Sequence, residues 1–287
     1  MLEALIASIL KCELDSSIIK DVLIIVVDND ENKSGEATIT KFKNSNKNYN
    51  FRYSVQPNKG LANVRNELLK KALGTPSDYI VFIDDDEFVT ATWLNELVKA
   101  IVTNKAEAIR GPVLAVKNAE ISKYIWCWFT REQYPNNTQL STLTTGNLIL
   151  NRHALEKYNV WFDTRFNLSG SEDHYFGIQL LNKGAKIFWT SKAIAYETIP
   201  KSRGNLKWLL QRKYRVSNTY SLMLKLEHKY LLLIKKILVS IVYIIFGSAT
   251  LFIALSNYKK KYWCFLKIAE GLGGLSGAFS LGYSEYK

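Results

Sequence analysis

The chain has 287 residues, enough to bury the core of one α/β domain and leave a modest appendage. Its formal net charge is +12, but residues 1 to 200 contain 23 Lys and Arg against 23 Asp and Glu, whereas residues 201 to 287 contain 15 against 3. A neutral first two thirds excludes the broad basic surface that nucleic-acid binding requires, so we expect no nucleic-acid partner. The basic last third also contains the longest apolar run, a combination typical of contact with an anionic membrane.

The three cysteines, Cys12, Cys127 and Cys264, have neither metal-ligand spacing nor the even number of a disulfide framework. They indicate a reducing compartment. The first residues form an amphipathic pattern rather than a charged segment followed by an apolar one, so no signal peptide is predicted. We therefore expect the first two thirds of the chain to lie in the cytosol.

Helical and strand patterns alternate along the first hundred residues. The apolar run at 22 to 27 lacks polar alternation, as expected for a parallel strand that is covered on both faces. The βαβ alternation predicts a Rossmann-like α/β fold with a mostly parallel sheet and helices on both faces. The predicted elements in chain order are a helix at 2–10, strands at 22–27 and 51–55, a helix at 61–73 and a strand at 79–83.

Acidic side chains follow two of these strands where each strand ends. Asp28 and Asn29 terminate the first, and Asp84, Asp85 and Asp86 follow the last. Ligands of such sheets bind at the carboxyl ends of the strands. Alternation along an extended backbone points Asp84 and Asp86 to one side, where two carboxylates can share a hard divalent cation and the diphosphate oxygens that it bridges.

Two further motifs follow downstream. The segment Thr144-Thr145-Gly146-Asn147 combines a glycine, which permits close approach of a ligand, with neutral hydrogen-bonding side chains. The segment 169 to 173 opens a helix with Glu172 and Asp173, which also suit the helix dipole. A carboxylate separate from the metal-binding pair is what a general base for an acceptor hydroxyl requires.

Taken in order, these motifs resemble the family 2 glycosyltransferases of the GT-A fold over about residues 1 to 215. The motifs are "LIIVVDND", "NKGLANVRN", "IVFIDDDE", "TTGN" and "SGSEDHYFG". The resemblance implies that Asp28, Asn29, Arg65, Asp84, Gly146 and Asn147 bind a nucleoside-diphosphate sugar. It also implies that Asp84 and Asp86 hold Mn²⁺ or Mg²⁺, and that Asp173, with Glu172 beside it, is the base of an inverting transfer.

The later segments "AIAYETIPKSRG" and "AEGLGGLSGAFSLGY" resemble transferases that build bacterial exopolysaccharide, such as those of succinoglycan. This resemblance implies a lipid-linked or saccharide acceptor. Many members have His where this chain has Glu197, and a metal contact by Glu197 is left open. Family members also begin with a strand that lies beside the one at 22–27. The present sequence starts after it, and we expect either an upstream start or an impaired remnant.

The uncharged run from Ile237 to Tyr258 is 22 residues long, about 33 Å as a helix, which is enough to span a bilayer core. Lysines flank it on both sides, so the positive-inside rule does not choose between a single span and a helix that dips in and returns. We expect a catalytic domain at 1–215 and a basic, hydrophobic helical tail at 216–287, attached to the cytoplasmic face of the cell membrane.

The sequence therefore predicts a hexosyltransferase that moves a sugar from a nucleoside diphosphate to a hydroxyl group. Two alternatives stay open. One is a catalytically impaired, membrane-bound remnant of such an enzyme. The other is a nucleotidyltransferase, which shares the fold and the metal carboxylates, although the Gly-rich phosphate loop expected of that class is not seen in this sequence.

Overall fold

The computed structural model describes residues 1–46, 49–253 and 258–283. The helices are α1 (Leu2–Ile9), α2 (Glu36–Ser45), α3 (Leu61–Leu73), α4 (Trp93–Asn104), α5 (Lys123–Trp126), α6 (Arg152–Tyr158), α7 (Glu172–Asn182), α8 (Leu206–Leu226), α9 (Tyr230–Ile253) and α10 (Tyr258–Ala278). The strands are β1 (Leu23–Asp28), β2 (Asn50–Val55), β3 (Tyr79–Phe82), β4 (Glu87–Val89), β5 (Ala108–Arg110), β6 (Val113–Val116), β7 (Leu148–Asn151), β8 (Ile187–Trp189) and β9 (Ala195–Thr198). The predicted α/β class is confirmed, and the predicted helix at 61–73 is α3.

The chain divides into two compact units. The first contains residues Met1–Val116, Arg131–Asn167 and Glu172–Thr198, and the second contains Lys117–Thr130, Leu168–Ser171 and Ile199–Lys287. The boundary that the sequence predicted at 215 falls inside α8, which is continuous from Leu206 to Leu226. The long C-terminal segment of the second unit begins at Ile199. The unit also contains two short segments from the first two thirds of the chain.

A four-stranded sheet of order β3-β7-β5-β8 lies at the centre of the first unit. Strand β7 runs antiparallel to both β3 and β5, while β5 and β8 are parallel. Pairings are thus mixed, where the sequence predicted a mostly parallel sheet. A parallel neighbour needs a crossover that returns the chain to the end of the sheet where the previous strand began. The segment before β7 instead leaves the chain at the other end of the sheet, so β7 runs antiparallel to β3 and β5.

Helices cover both faces of this sheet, as predicted. Alternate residues of β3 and β7, such as Phe82 and Leu148, face a cluster formed with α3, α6 and α7. Their neighbours, such as Val81 and Ile149, face a second cluster formed with α1 and α4. Both faces are therefore apolar, which explains the strand at 79–83 without polar alternation.

Two smaller sheets flank this core. Strands β1 and β2 pair in parallel, and β4-β9-β6 form a three-stranded sheet in which Glu87 of β4 lies opposite Glu197 of β9. Among the described strands, β1 pairs with β2 alone, and its six residues are all half-buried. The two acid-bearing ends, at Asp28 and after Phe82, belong to separate sheets.

The three long helices of the second unit pack through small residues. A methyl group at Gly273 would lie 2.1 Å from the Tyr214 carbonyl oxygen, and one at Gly277 would lie 2.1 Å from that of Asn218. These contacts bring the backbones of α8 and α10 close together, and the two helices run parallel. Contacts of Gly271 with Ser240 and of Gly247 with Cys264 set α9 antiparallel to α10.

One helical segment among the described residues, Tyr230–Leu251, is long and apolar enough to cross a membrane, by length and composition only. Only 17% of its most apolar window is buried. Exposed apolar side chains include Leu238, Val242 and Ile245. The predicted apolar run at 237–258 overlaps this segment up to Leu251, and its residues 254–257 lie outside the described part of the chain.

Candidate active site

The carboxylate of Asp28 organises the loop that follows β1. Its Oδ2 accepts hydrogen bonds from the Tyr53 hydroxyl and from the Gly35 N–H, both at 2.8 Å, and its Oδ1 accepts from the Asp30 N–H at 2.9 Å. Burial and the neighbouring carboxylate raise the pKa of Tyr53, so this hydroxyl stays a donor. Asp28 is thus placed at the strand end where the sequence predicted it, with much of its hydrogen-bonding capacity used by the protein.

Asn29 holds the turn that leads into α3. Its Nδ2 donates to the carbonyl oxygens of Gln56 at 2.6 Å and Asn58 at 3.1 Å, while its Oδ1 accepts from the Gly60 N–H at 3.1 Å. The side chain therefore connects the end of β1 to the start of α3. Its direct contribution in the structure is to this turn.

Arg65 lies one turn into α3 and joins two acidic segments. Its Nη2 is 3.1 Å from Asp84 Oδ1, and its Nη1 contacts Glu172 Oε1. The guanidinium is 12% exposed, whereas the Asp84 carboxylate is 45% exposed. Arg65 thus fixes the orientation of Asp84 from the protein side and leaves nearly half of the Asp84 side chain exposed.

Glu172 occupies a different position from the one that its predicted catalytic role requires. Its side chain is 1% exposed and is paired with Arg65. A carboxylate so buried cannot reach an acceptor hydroxyl, and Glu172 instead positions Arg65. The sequence could not separate Glu172 from Asp173, because both lie in the first turn of α7.

Asp173 is half-buried at the start of α7. Its Oδ1 accepts a hydrogen bond from the His174 N–H at 2.7 Å. Burial lowers the pKa of His174, which keeps that imidazole neutral near pH 7. Arg110, at the end of β5, lies within electrostatic range of Asp173 and stacks over Trp189 at 5.7 Å. Asp173 therefore has a cationic neighbour and comes from a different element than the acids that follow β3.

The acids after β3 form a turn rather than an extension of the strand. Strand β3 ends at Phe82, and the Glu87 N–H donates to the Asp84 carbonyl oxygen at 3.2 Å. The alternation argued for an extended backbone does not apply to a turn. Asp84 and Asp86 are nevertheless half-buried and Asp85 is exposed. This agrees with the prediction that Asp85 differs in direction from Asp84 and Asp86.

The sequence placed Glu87 in this run of acids but predicted no role for it. Burial raises its pKa to about 9, with Asp84 raising it next and Arg131 opposing, so the Glu87 carboxyl is protonated at neutral pH. Arg131 contacts Glu197, which lies opposite Glu87. Glu87 could be noticed in the sequence because it is the fourth acid in a row. No sequence pattern around Arg131 indicated that it would contact this cluster, because Arg131 lies in a segment without helical or strand periodicity.

Gly146 lies against these acids. A methyl group there would come within 2.9 Å of Glu87 Oε1 and 3.6 Å of Asp84 Oδ2. Any side chain at this position would fill the space beside the Asp84 carboxylate. The structure therefore brings Gly146 to the acid cluster.

The side chain of Asn147 points into the core. Its Nδ2 donates to the carbonyl oxygens of Pro112 and Ala193 at 2.8 and 2.7 Å, and its Oδ1 accepts from Trp93 Nε1 at 2.7 Å. It is completely buried. These three bonds tie β6, α4 and β9 together, so the side chain of Asn147 is committed to the fold and is not carried into the proposal below.

The acid cluster fits a divalent cation. Several carboxyl groups crowd together, and one of them, Glu87, has a raised pKa because its acidic neighbours and burial oppose a further negative charge. Among the described residues, no group of three His, Cys, Asp or Glu side chains is arranged to hold a metal. Two carboxylates, with the remaining ligands supplied by a diphosphate and water, are the usual surroundings of Mg²⁺ at phosphate-binding sites. Asp84 and Asp86, both in the turn after β3, are the candidates for such a pair.

The chain belongs to glycosyl transferase family 2, whose model matches residues 1–158. This confirms the resemblance to the family 2 glycosyltransferases. A curated relative is the succinoglycan biosynthesis protein ExoM of Rhizobium meliloti strain 1021, which is 28% identical over 203 residues. The match covers 70% of this chain and spans 64% of the relative's length.

Solved structures share the fold at low identity. The mannosyltransferase PcManGT of Pyrobaculum calidifontis, in complex with GDP-Man and Mn²⁺, has a TM-score of 0.62 at 14% identity, covering 97% of this chain and 83% of its own. Residues 1–349 of S. aureus TarS, in complex with UDP-GlcNAc, have a TM-score of 0.52 at 15% identity, covering 77% of this chain and 61% of that one. These likenesses confirm the GT-A fold.

Proposed function

We propose that this chain transfers a sugar from a nucleoside diphosphate to a hydroxyl group of a lipid-linked or saccharide acceptor, with inversion at the anomeric carbon. The observation that carries the proposal is that the first unit supplies acids from two different elements. Asp84 and Asp86 lie in the turn after β3, where Asp84 is close to Gly146, and Asp173 lies at the start of α7 with Arg110 nearby. Inversion in a single displacement requires this division, because the base and the leaving group act on opposite faces of the sugar.

In this mechanism the donor lies with its diphosphate toward Asp84 and Asp86. A divalent ion, Mn²⁺ or Mg²⁺, held there would supply Lewis-acid stabilisation of the negative charge on the departing nucleoside diphosphate. Arg65 and Glu172 keep Asp84 in place, and Asp28 and Asn29 shape the loops that would receive the nucleoside. Gly146 leaves room for the donor beside the acids.

Asp173 accepts the proton of the acceptor hydroxyl as its oxygen bonds to the anomeric carbon. The bond between that carbon and the diphosphate oxygen breaks in the same step, and the electron pair leaves with the nucleoside diphosphate. His174, next to Asp173, stays neutral near pH 7 because burial lowers its pKa, so it adds no positive charge beside the base.

The relatives guide the choice of substrates for a test. The structures similar to this chain hold UDP-GlcNAc or GDP-Man, and the curated relative is named for succinoglycan biosynthesis. A panel of UDP- and GDP-sugars, with membrane extracts as acceptor and Mn²⁺ present, would identify the donor. We expect product from an α-linked donor to carry a β linkage by NMR. An α linkage would contradict inversion, and release of nucleoside monophosphate instead of diphosphate would indicate a phosphoryl-group transferase.

We further propose that the second unit holds the enzyme on the cytoplasmic face of the cell membrane. The support is the apolar segment Tyr230–Leu251, most of which is not covered by protein, together with the basic character of the last third of the chain. Apolar side chains exposed to this extent on one helix are stabilised by hydrocarbon rather than by water. A membrane-held enzyme is also suited to a lipid-linked acceptor.

A further inference from the structure

Arg110 is the last residue of β5, and the sheet places it at the same end as the acids that follow β3. Strand β7 runs antiparallel to β3 and β5, and β5 and β8 are parallel, so β3, β5 and β8 all point the same way. In register, Arg110 pairs with Leu148 and with Trp189, and Leu148 pairs with Phe82. At about 4.8 Å between neighbouring strands, Arg110 lies two strands, roughly 10 Å, from the end of β3.

The side chain of Arg110 lies on the face of the sheet that α7 covers. Residues paired in register point to one face, and the partners Leu148 and Trp189 both belong to the apolar cluster formed with α3, α6 and α7. Helix α7 carries Asp173 in its first turn. Arg110 is within electrostatic range of both Asp173 and Glu87, the residue that begins β4 after the acidic turn. Arg110 therefore lies close to both acidic elements of the site.

The guanidinium of Arg110 has no hydrogen-bond or salt-bridge partner among the described residues. It stacks over the indole of Trp189 at 5.7 Å, and Tyr134 packs edge-on against the same indole. The Arg110 side chain is half-buried, and of its three nitrogens only Nε is enclosed. The two terminal nitrogens are thus supported from below by Trp189 and stay open to solvent, where a ligand can reach them.

The charge of Arg110 is poorly compensated by its neighbours. Burial lowers the pKa of Arg110 and the nearby Arg131 lowers it further, whereas Asp173 opposes them. Arg131 itself contacts Glu197, and the Glu87 carboxyl is protonated at neutral pH. A half-buried cation without a paired anion is costly. A substrate that brings one negative charge to the terminal nitrogens would remove this cost.

We propose that Arg110 binds a carboxylate on one of the two sugars that react, so that the enzyme prefers a uronic acid to the corresponding neutral sugar. The inference rests on the proposed function, in which the diphosphate lies at Asp84 and Asp86 and the attacking hydroxyl at Asp173. The two sugars then meet between these groups, beside Arg110. The two oxygens of a carboxylate fit the planar fork of a guanidinium. The negative charge of Asp173 nearby disfavours a doubly charged phosphate more than a singly charged carboxylate.

The test is calorimetry on the full chain in neutral detergent with Mn²⁺, using matched pairs of ligands. The donor arm compares UDP-glucuronate with UDP-glucose, and GDP-mannuronate with GDP-mannose. The acceptor arm compares methyl glucuronide with methyl glucoside in the presence of UDP or GDP. Arg110→Gln removes the charge and keeps hydrogen-bonding groups. Arg52→Gln is the matched control, since Arg52 is an exposed arginine on β2.

We expect the unaltered chain to bind the acidic member of at least one pair about tenfold more tightly, since hydrogen bonds between charged groups are stronger than neutral ones. Arg110→Gln should reduce this preference to less than about twofold, because an amide offers neither the charge nor the fork. Arg52→Gln should keep the preference. A preference confined to the nucleotide sugars identifies the donor as the acid, and one confined to the glycosides identifies the acceptor.

Equal binding of both members in every pair would overturn the inference on the unaltered chain alone, whether or not Arg110→Gln folds. A preference that survives in folded Arg110→Gln would overturn the role of Arg110. Binding of nucleotide sugars without any preference for the acid leaves the proposed function standing and removes only this inference. If no nucleotide sugar binds the folded chain in Mn²⁺, the proposed function fails and this inference fails with it.

Discussion

Glu87 and Glu197 lie directly opposite each other in β4 and β9, and both side chains are buried. Two ionised carboxylates in this arrangement would repel strongly. The structure offsets the repulsion in two ways. Burial and acidic neighbours raise the pKa of Glu87 to about 9, so it is protonated at neutral pH, and Arg131 contacts Glu197. The pair connects the turn that carries Asp84 and Asp86 to β9.

The contact with Arg131 should matter for stability. We predict that Arg131→Met lowers the free energy of unfolding by about 2 kcal/mol, because it removes an ion pair of the buried Glu197 carboxylate. The value is lower than that of a fully buried pair because Arg131 is about a third exposed. Urea denaturation measures the change. Arg165→Met is the control, since its exposed pair with Asp163 should contribute less than about 1 kcal/mol. Equal losses in the two variants would show that Arg131 has no special role.

Donor binding should depend on a divalent ion and on Asp86. We predict that EDTA or Asp86→Ala weakens binding of the nucleotide sugar by at least about tenfold, because the diphosphate loses the charge that bridges it to the protein. Asp85→Ala is the control, since Asp85 is exposed beside the same turn. Calorimetry with Mn²⁺, Mg²⁺ or EDTA measures the affinity. Unchanged affinity in EDTA would contradict a metal-bound donor.

The cysteines should differ in their reaction with iodoacetamide. Cys127 is exposed, whereas Cys12 is buried and its pKa is raised to about 11 by desolvation. At pH 8 only about one Cys12 in a thousand is a thiolate, and we predict that Cys127 is alkylated much faster. A pKa above its ordinary value means that burial of the neutral thiol stabilises the fold below about pH 9, and that this contribution is lost as the pH rises through 11. Peptide mass spectrometry measures the alkylation rates of Cys12 and Cys127. Equal alkylation rates of the two cysteines in the folded chain would refute the burial of Cys12.

Membrane attachment should depend on the apolar face of α9. We predict that the full chain stays with membranes through high-salt and carbonate washes, because burial of apolar surface is insensitive to salt whereas attraction between charges is screened. The double variant Leu238→Glu with Ile245→Glu changes two exposed positions and should become extractable by carbonate. Lys235→Glu, with the apolar face intact, should remain bound. Release of the unaltered chain by salt alone would show that only charge holds it.

The open edge of β1 should be visible in hydrogen exchange. The Gln56 N–H donates to the Asp28 carbonyl oxygen at 2.8 Å, so Asp28 and every second residue before it face β2. The amides of Ile25 and Val27 then face the other edge, and among the described strands none pairs there. We predict that these two amides exchange faster than those of Ile24 and Val26. Equal protection of all four, measured by NMR, would indicate that a partner covers this edge.

The parts of the fold that could be predicted from sequence are those with local causes. The apolar run before Asp84 predicted a strand covered on both faces, and β3 has helices on both sides. The site residues that followed strand ends, Asp28 and Asp84, lie at strand ends. Gly146 was predicted to allow close approach of a ligand, and the structure places it beside Glu87 and Asp84, a position that the sequence did not predict.

The rest depended on contacts between residues far apart in the chain. Glu87 and Glu197 are opposite only because β4 and β9 pair, and Arg131 reaches them from a segment without a repeating pattern. Asn147 is of a residue type that often binds ligands, but its side chain donates hydrogen bonds to the carbonyl oxygens of Pro112 and Ala193. The sequence does not show that these carbonyl groups lie close to Asn147. The antiparallel direction of β7 likewise depends on the path of the preceding loop, which the sequence does not show.

The central claim is that Asp173 acts as the base, and the most direct test is the turnover of Asp173→Asn with the donor found by the panel. We predict that kcat falls by about 10² to 10⁴-fold, because an amide cannot accept the acceptor proton, while donor affinity changes little. Asp21→Asn, an exposed position away from the site, should be unaffected. Turnover of Asp173→Asn within about twofold of the unaltered enzyme, with both proteins folded, would contradict the assignment of Asp173.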